Sequence, residues 1–345
     1  MVEESKFVEP YKPSLIHTIY RWIDRLPGPY WLFSIVFLVV TGLLNLFVAW
    51  KENVLAFGAI NWYYATTGFF FAYLLFANDF LLRVAKEAVL EFRTILDVDE
   101  NKSRLILFEF THLPARTSAI FFVLGAVTGI FLGIYIVPTS PENNYAFPVG
   151  EVTIYSLSVG MAFMTLYVIL RTSRLISRLF EEKVNIDLFD QTSLYAISRY
   201  SAWSIIVIAI ATYMQFVAAP SFVEITAPFL AITFSYWLVI LLVFWLPLRG
   251  ANRILVSEKR KLLKDVNLRI RTNFDLLHSK MDNHEYKNIS DIRELIAGLQ
   301  IEREDIKSIS TWPWQTSTLT GLFTAVLLPA LVGFLISIFD RFISH

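Results

Sequence analysis

The 345 residues are 55% hydrophobic, 16% aromatic and 17% charged, with 30 acidic side chains balancing 30 Lys and Arg and no cysteine. A soluble globular chain carries about 25% charged residues; here the shortfall falls in apolar blocks of roughly 19 to 23 residues, the length an α-helix needs to cross a ~30 Å hydrocarbon core. The lack of cysteine excludes disulfides, thiolate-held metals and thiol nucleophiles, and a net charge of zero offers no global attraction for nucleic acid.

Residues 1–29 are polar and amphipathic and lack the short apolar core of a cleavable signal. Within them Leu15, Ile16, Ile19, Trp22, Ile23 and Leu26 fall at helical spacing, Ser14 stands where an N-cap would, and Pro27-Gly28-Pro29 stops the helix. The segment is expected to lie along the membrane interface or to dock on the protein itself. Seven apolar blocks follow, at about 30–50, 60–82, 117–137, 152–170, 201–219, 226–247 and 317–339. Most tryptophans, among them Trp31, Trp50, Trp62, Trp203, Trp245, Trp312 and Trp314, sit near block ends, as amphipathic rings at headgroup depth do.

Lys and Arg alternate from one inter-block segment to the next, 28 on one set of sides against 2 on the other. Positively charged loops stay in the cytoplasm, so the pattern predicts seven spans in the plasma (inner) membrane, N-terminus inside and C-terminus outside. The outer segments are too short to fold into a ligand-binding domain. On the inner side, Arg83 to Leu96 and Arg171 to Lys183 carry no Gly or Pro and are expected to extend blocks two and four beyond the membrane. Residues 251–308 show heptad-like spacing, with Leu263, Val266, Ile270, Phe274, Leu277 and Met281 before a turn-forming stretch at 282–288, and Ile289, Ile292, Ile296, Leu299 and Ile306 after it. This predicts a cytoplasmic, coiled-coil-like helical hairpin whose apolar stripes need covering by the helix extensions, a second copy or a partner. The resulting organisation is 1–29, an N-terminal segment with its interfacial helix; 30–250, six transmembrane helices; 251–310, the hairpin; and 311–345, the seventh helix and a short outer tail.

A few residues stand out chemically. Gly125, Gly129 and Gly133 in block three leave a smooth face on which a second helix can pack closely. Asp79 and Arg83 are four apart at the end of block two, placed to pair on one helical face or to serve as an ionisable site at the membrane edge. Asp187 and Asp190 can bind a cation or cap the helix of block five. Thr316, Thr320 and Thr324 recur one turn apart in block seven, where they can line a hydrated path or bond their own backbone. No phosphate loop, metal-ligand spacing of histidines or nucleophile motif is present, no block carries an ionisable residue near its centre, and no cofactor is indicated.

Three stretches, Val184 to Asp190 continuing to Ser198-Arg199, Leu246 to Arg253 with Glu258-Lys259, and Ser310 to Trp314, resemble uncharacterised prokaryotic polytopic membrane proteins. The resemblance covers roughly the C-terminal half and implies no transferable activity. The expected function is that of an integral, non-enzymatic membrane scaffold or assembly protein, acting through the 251–308 hairpin on a second copy or a cytoplasmic protein, with the lipid bilayer as its other partner and no nucleic acid. The alternative is an oligomeric channel or facilitator; a membrane-embedded enzyme comes third.

Overall fold

The structure, a computed structural model, describes residues 10–96, 98–136, 148–180, 188, 192–218, 227–284, 289–312, 320 and 324; at 94, 135–136, 192–193, 215–218, 227–244 and 246–248 it describes the backbone alone. Among these residues the chain is all-helical. In order come α1 (Leu15–Ile23), α2 (Tyr30–Lys51), α3 (Trp62–Phe92), a 3-10 turn (Arg93–Ile95), α4 (Glu100–Thr111), α5 (Ala115–Ile136), α6 (Val149–Leu179), α7 (Thr192–Ala218), α8 (Ala227–Asp282) and α9 (Ile289–Ser308). Five of them, α2, α3, α5, α6 and α7, are long and apolar enough to cross a membrane. They correspond to the first five apolar blocks and are the features of a multi-pass membrane protein. The sixth block opens α8; the seventh lies outside the described residues except for Thr320 and Thr324.

Burial sorts the five. The apolar windows of α3 and α7 are each 67% buried, those of α2 and α5 only 22%. α3 is therefore the central helix. Its Leu74, Leu81 and Phe92 pack with Met161, Met164, Ile169 and Ile176 of α6 and with Leu194, Ile197 and Tyr200 of α7 in one continuous core. α2 and α5 flank it and turn Ile35, Val39, Leu43, Val123, Val127 and Phe131 outward. Such apolar exposure costs little against hydrocarbon and much against water. At 31 residues each, α3 and α6 run about 46 Å, well beyond the ~30 Å of a hydrocarbon core. α3 gives way to the 3-10 turn at Phe92 and α6 stops at Leu179, a few residues short of the ends the sequence suggests.

Two elements differ from expectation. α4 sits between α3 and α5, where no separate helix is expected from the sequence; Phe108 and Phe110 pin it to the core, and so few buried positions leave little periodic signal. The second is α8, whose 56 residues pass through Pro247 and Gly250 without interruption. The first arm of the hairpin is thus a continuation of the sixth apolar block, not a unit starting at 251. A helix accommodates an internal proline by giving up one hydrogen bond and bending. The α8 arm then pairs with α9: Leu263, Val266 and Ile270 close against Leu299 and Ile306. Lys259 Nζ donates to the carbonyls of Lys307 and Ile309, each at 2.7 Å, placing a cation at the C-terminus of α9 where the helix dipole favours it. The two arms cover much of each other's inner stripe within one chain.

α1 is docked and exposed at once. Tyr20 and Ile23 are buried, and the Tyr20 hydroxyl donates to the Leu75 carbonyl of α3 at 3.0 Å. Leu15, Ile19 and Trp22, one turn apart on the other flank, remain exposed. Ser14 does not cap the helix through its side chain; its backbone N–H instead donates to Leu113 O at 2.9 Å, and Ala115 N–H donates to Lys12 O at 3.1 Å, strapping the N-terminal segment to the α4–α5 junction.

Candidate functional site

A cleft of about 850 Å³ opens along α8 just past Trp245. Arg249, Arg253, Val256, Arg260 and Lys264 recur every three to four residues and so share one helical face. Asn252 borders the cleft and donates from Nδ2 to the Thr311 carbonyl at 2.9 Å, tying α8 to the segment after α9. Gly250 faces the Phe180 ring at the end of α6, where an added Cβ would stand 3.1 Å from the ring. The cations are unevenly occupied. Lys261 pairs with Glu258 at 2.6 Å, and the Arg249 guanidinium lies 5.3 Å over the Trp245 ring. Arg253, Arg260 and Lys264 have no carboxylate partner among the described residues. In the sequence these cations count only toward topology; their spacing of three and four was the signal for a shared face.

α9 carries the opposite sign. Asp291, Glu294, Glu302 and Asp305 are exposed, and their spacing of 3, 8 and 3 places them on one face, with Gly298 and Ile301 between. Among the described residues none of the four is in an ion pair. Glu304, outside that stripe, is the acid of α9 that is paired, to Arg303 and Lys307, and these neighbours hold its carboxyl below the usual range.

Asp79 and Arg83 meet as their spacing suggests: Arg83 Nε donates to Asp79 Oδ2 at 2.7 Å. The same guanidinium bonds Asp24 Oδ1 at 2.6 Å and lies 4.6 Å over the Tyr30 ring. Asp79 is nearly buried, whereas Arg83 and Asp24 are about half exposed. The arrangement brackets the end of α1, the start of α2 and α3 together. Nearby, the His17 and His112 rings approach to 4.4 Å, and burial, then His112 and Arg21, push His17 below its ordinary value. The Tyr11 hydroxyl donates to His112 O and accepts from Arg171, and burial pushes it up to about 12.

The block-three glycines lie against α6. A Cβ on Gly125 would stand 2.7 Å from Phe163 Cβ, one on Gly129 would stand 2.7 Å from Ser156 Cα, and one on Gly133 would stand 3.2 Å from Val152. Ser156 Oγ donates to Ala126 O across this seam at 2.8 Å. Asp187, Asp190 and Thr316 lie outside the described residues. Thr320 and Thr324 are exposed, and the Thr324 hydroxyl donates to Thr320 O at 2.9 Å.

At the other end of the bundle, Glu52, the residue that caps the C-terminus of α2, reaches across to the first turn of α6. Its Oε1 accepts from Gly150 N–H at 2.6 Å and its Oε2 from Glu151 N–H at 3.1 Å. Glu151 itself is buried, beside fully buried Asn45 of α2. Position 151 reads as an exposed loop acid in the sequence; only the fold encloses it. Among the described residues no three His, Asp or Glu side chains gather in a metal-binding arrangement.

No known family, curated protein or solved structure matches the chain.

Proposed function

We propose that the chain is a non-enzymatic scaffold of the plasma (inner) membrane that assembles with a second copy of itself through its α8–α9 arms. In this reading seven helices span the bilayer, the N-terminus is cytoplasmic, and the arms stand in the cytoplasm; the 28-to-2 partition of Lys and Arg supports that orientation. One observation carries the assembly. The α8 arm presents Arg253, Arg260 and Lys264 without carboxylate partners, and the α9 arm of the same chain presents Asp291, Glu294, Glu302 and Asp305 without cationic ones. Two copies related by a two-fold axis bring the basic face of each against the acidic face of the other, which satisfies both faces twice. Exposed Leu295 and Ile301 on α9 add apolar area to the contact.

The test is a charge swap, read as mass in detergent by light scattering. Arg253→Glu with Arg260→Glu should convert an oligomer to a monomer, and adding Glu294→Arg with Glu302→Arg should restore it. A wild type that is monomeric in both detergent and nanodiscs defeats the proposal.

A channel or facilitator is the second reading, and Asn78 favours it. This residue of the central helix is fully buried, and neither atom of its side-chain amide has a hydrogen-bond partner among the described residues, as expected where water or a polar solute enters a bundle. Proteoliposomes that stay tight to small solutes and ions would remove it.

A further inference from the structure

Three side chains near the N-terminal end of α6 make a cluster that the assembly reading does not use. Glu52 is held by two backbone N–H groups of the first turn of α6, a position where the helix terminus stabilises a full negative charge. Glu151, in that same turn, is only 2% exposed, and its Oε1 is enclosed without any hydrogen-bond donor. Asn45 is 0% exposed; its Nδ2 donates to Tyr64 O at 2.6 Å, which leaves Oδ1 enclosed and equally without a donor.

Among the described residues the surroundings supply no compensating charge. Glu52 at the end of α2 acts on Glu151 with like sign, and Asn45 from α2 lies within hydrogen-bonding reach of it. Tyr63 and Tyr64 of α3 and Tyr155 of α6 complete the polar surroundings, and α5 contributes Gly133 against Val152. Lys51, next to Glu52 in sequence, is exposed and forms no ion pair with either carboxylate. A carboxylate enclosed as Glu151 is needs a proton or a positive charge beside it once it is out of water. Two enclosed acceptor oxygens, Glu151 Oε1 and Asn45 Oδ1, likewise require a donor or a cation.

We propose that Asn45, Glu52 and Glu151 form a seat for one small monovalent cation, either a proton or a sodium ion. A proton on Glu151 Oε1 turns that enclosed acceptor into a donor, and a sodium ion would take enclosed oxygens such as Glu151 Oε1 and Asn45 Oδ1 among its ligands. Mg²⁺ keeps several waters of its own and Ca²⁺ takes six to eight oxygens, which this enclosed set of side chains does not offer. The proposal is independent of arm-mediated assembly, and neither result bears on the other.

The experiment uses the full chain in detergent. Melting temperature is followed in sodium chloride against choline chloride at equal ionic strength, from pH 6 to 9, for wild type and Glu151→Gln. In parallel, the wild type is treated with dicyclohexylcarbodiimide, an apolar reagent that adds to protonated carboxyls, and adducts at Glu151 are read by mass spectrometry. If the occupant is sodium, sodium but not choline raises the melting temperature and protects Glu151 from the reagent, and Glu151→Gln loses the sodium response. If it is a proton, sodium has no effect, Glu151 is labelled near neutral pH, and wild type loses stability on alkalinisation while Glu151→Gln, neutral at every pH, does not. A wild type whose melting and labelling at Glu151 respond to neither sodium nor pH overturns the proposal, whether or not the variant folds.

Discussion

Replacing Gly129 by alanine puts a Cβ 2.7 Å from Ser156 Cα, 3.0 Å from Val159 Cβ and 3.1 Å from Ser156 O. The nearest of these atoms is backbone, so no side chain can rotate away and α5 must move off α6. Overpacking of this kind costs about 1–3 kcal/mol. The move also stretches the Ser156–Ala126 hydrogen bond, and an interhelical bond in a membrane protein contributes about 0.6 kcal/mol. Alanine returns about 1 kcal/mol of helix propensity over glycine. The balance is a loss of roughly 0.5–2.5 kcal/mol for Gly129→Ala, and a larger one for Gly129→Leu. Gly298 is the matched control: it lies within α9 with nothing within 4 Å of its would-be Cβ, so Gly298→Ala should gain about 0.5–1 kcal/mol. Thermal unfolding in detergent, followed by size-exclusion fluorescence, reads both. An unchanged or raised melting temperature for both Gly129 variants would refute the close α5–α6 approach.

Arg83→Met should destabilise by about 1–2 kcal/mol, between an exposed and a buried pair, because Arg83 is half exposed while the Asp79 carboxylate it leaves behind is nearly buried. Adding Asp79→Asn should recover most of that loss, and strictly additive single effects in a double-mutant cycle would show the pair is uncoupled. His17 sits below its ordinary value of 6.5, so the folded state takes up a proton less readily than the unfolded chain. Its stability contribution is therefore present above that value and lost as pH falls below it. His17→Gln should flatten the acid limb of a melting-temperature profile, and an unaltered limb would point to other groups. Ile270→Asp places a carboxylate between the arms, where Ile270 packs with Val266, Leu299 and Ile306. Even truncation of such a side chain costs about 2–5 kcal/mol, so limited proteolysis should cut within 289–308 while the apolar helices stay protected; equal resistance to wild type would place the arms apart.

Much of the architecture was legible in the chain because membrane-spanning length and hydropathy are local properties. The first five apolar blocks became α2, α3, α5, α6 and α7, since in hydrocarbon a backbone must satisfy its own hydrogen bonds and a helix does so without help from elsewhere. The Asp79–Arg83 pair followed from a spacing of four on one helix. Heptad spacing likewise marked Val266, Ile270, Leu299 and Ile306 as residues needing cover.

Tertiary structure decided what those residues face. The glycine stripe of α5 could have met lipid, another copy or its own chain, and the backbone of α6 settles it. α4 escaped notice because a short helix held by Phe108 and Phe110 carries too few buried positions to show a period. The continuity of α8 through Pro247 was hidden because a proline-glycine segment reads locally as a boundary, whereas one lost hydrogen bond does not end a helix of 56 residues. Glu151 was hidden most completely. The sequence places it in the outer segment before block four, but the fold encloses it beside Asn45 of α2 and Glu52 just after that helix, about a hundred residues away. Desolvation is a property of everything packed around a group, so a carboxylate's exposure, and with it its need for a counter-charge, is set by the fold and not by the local sequence.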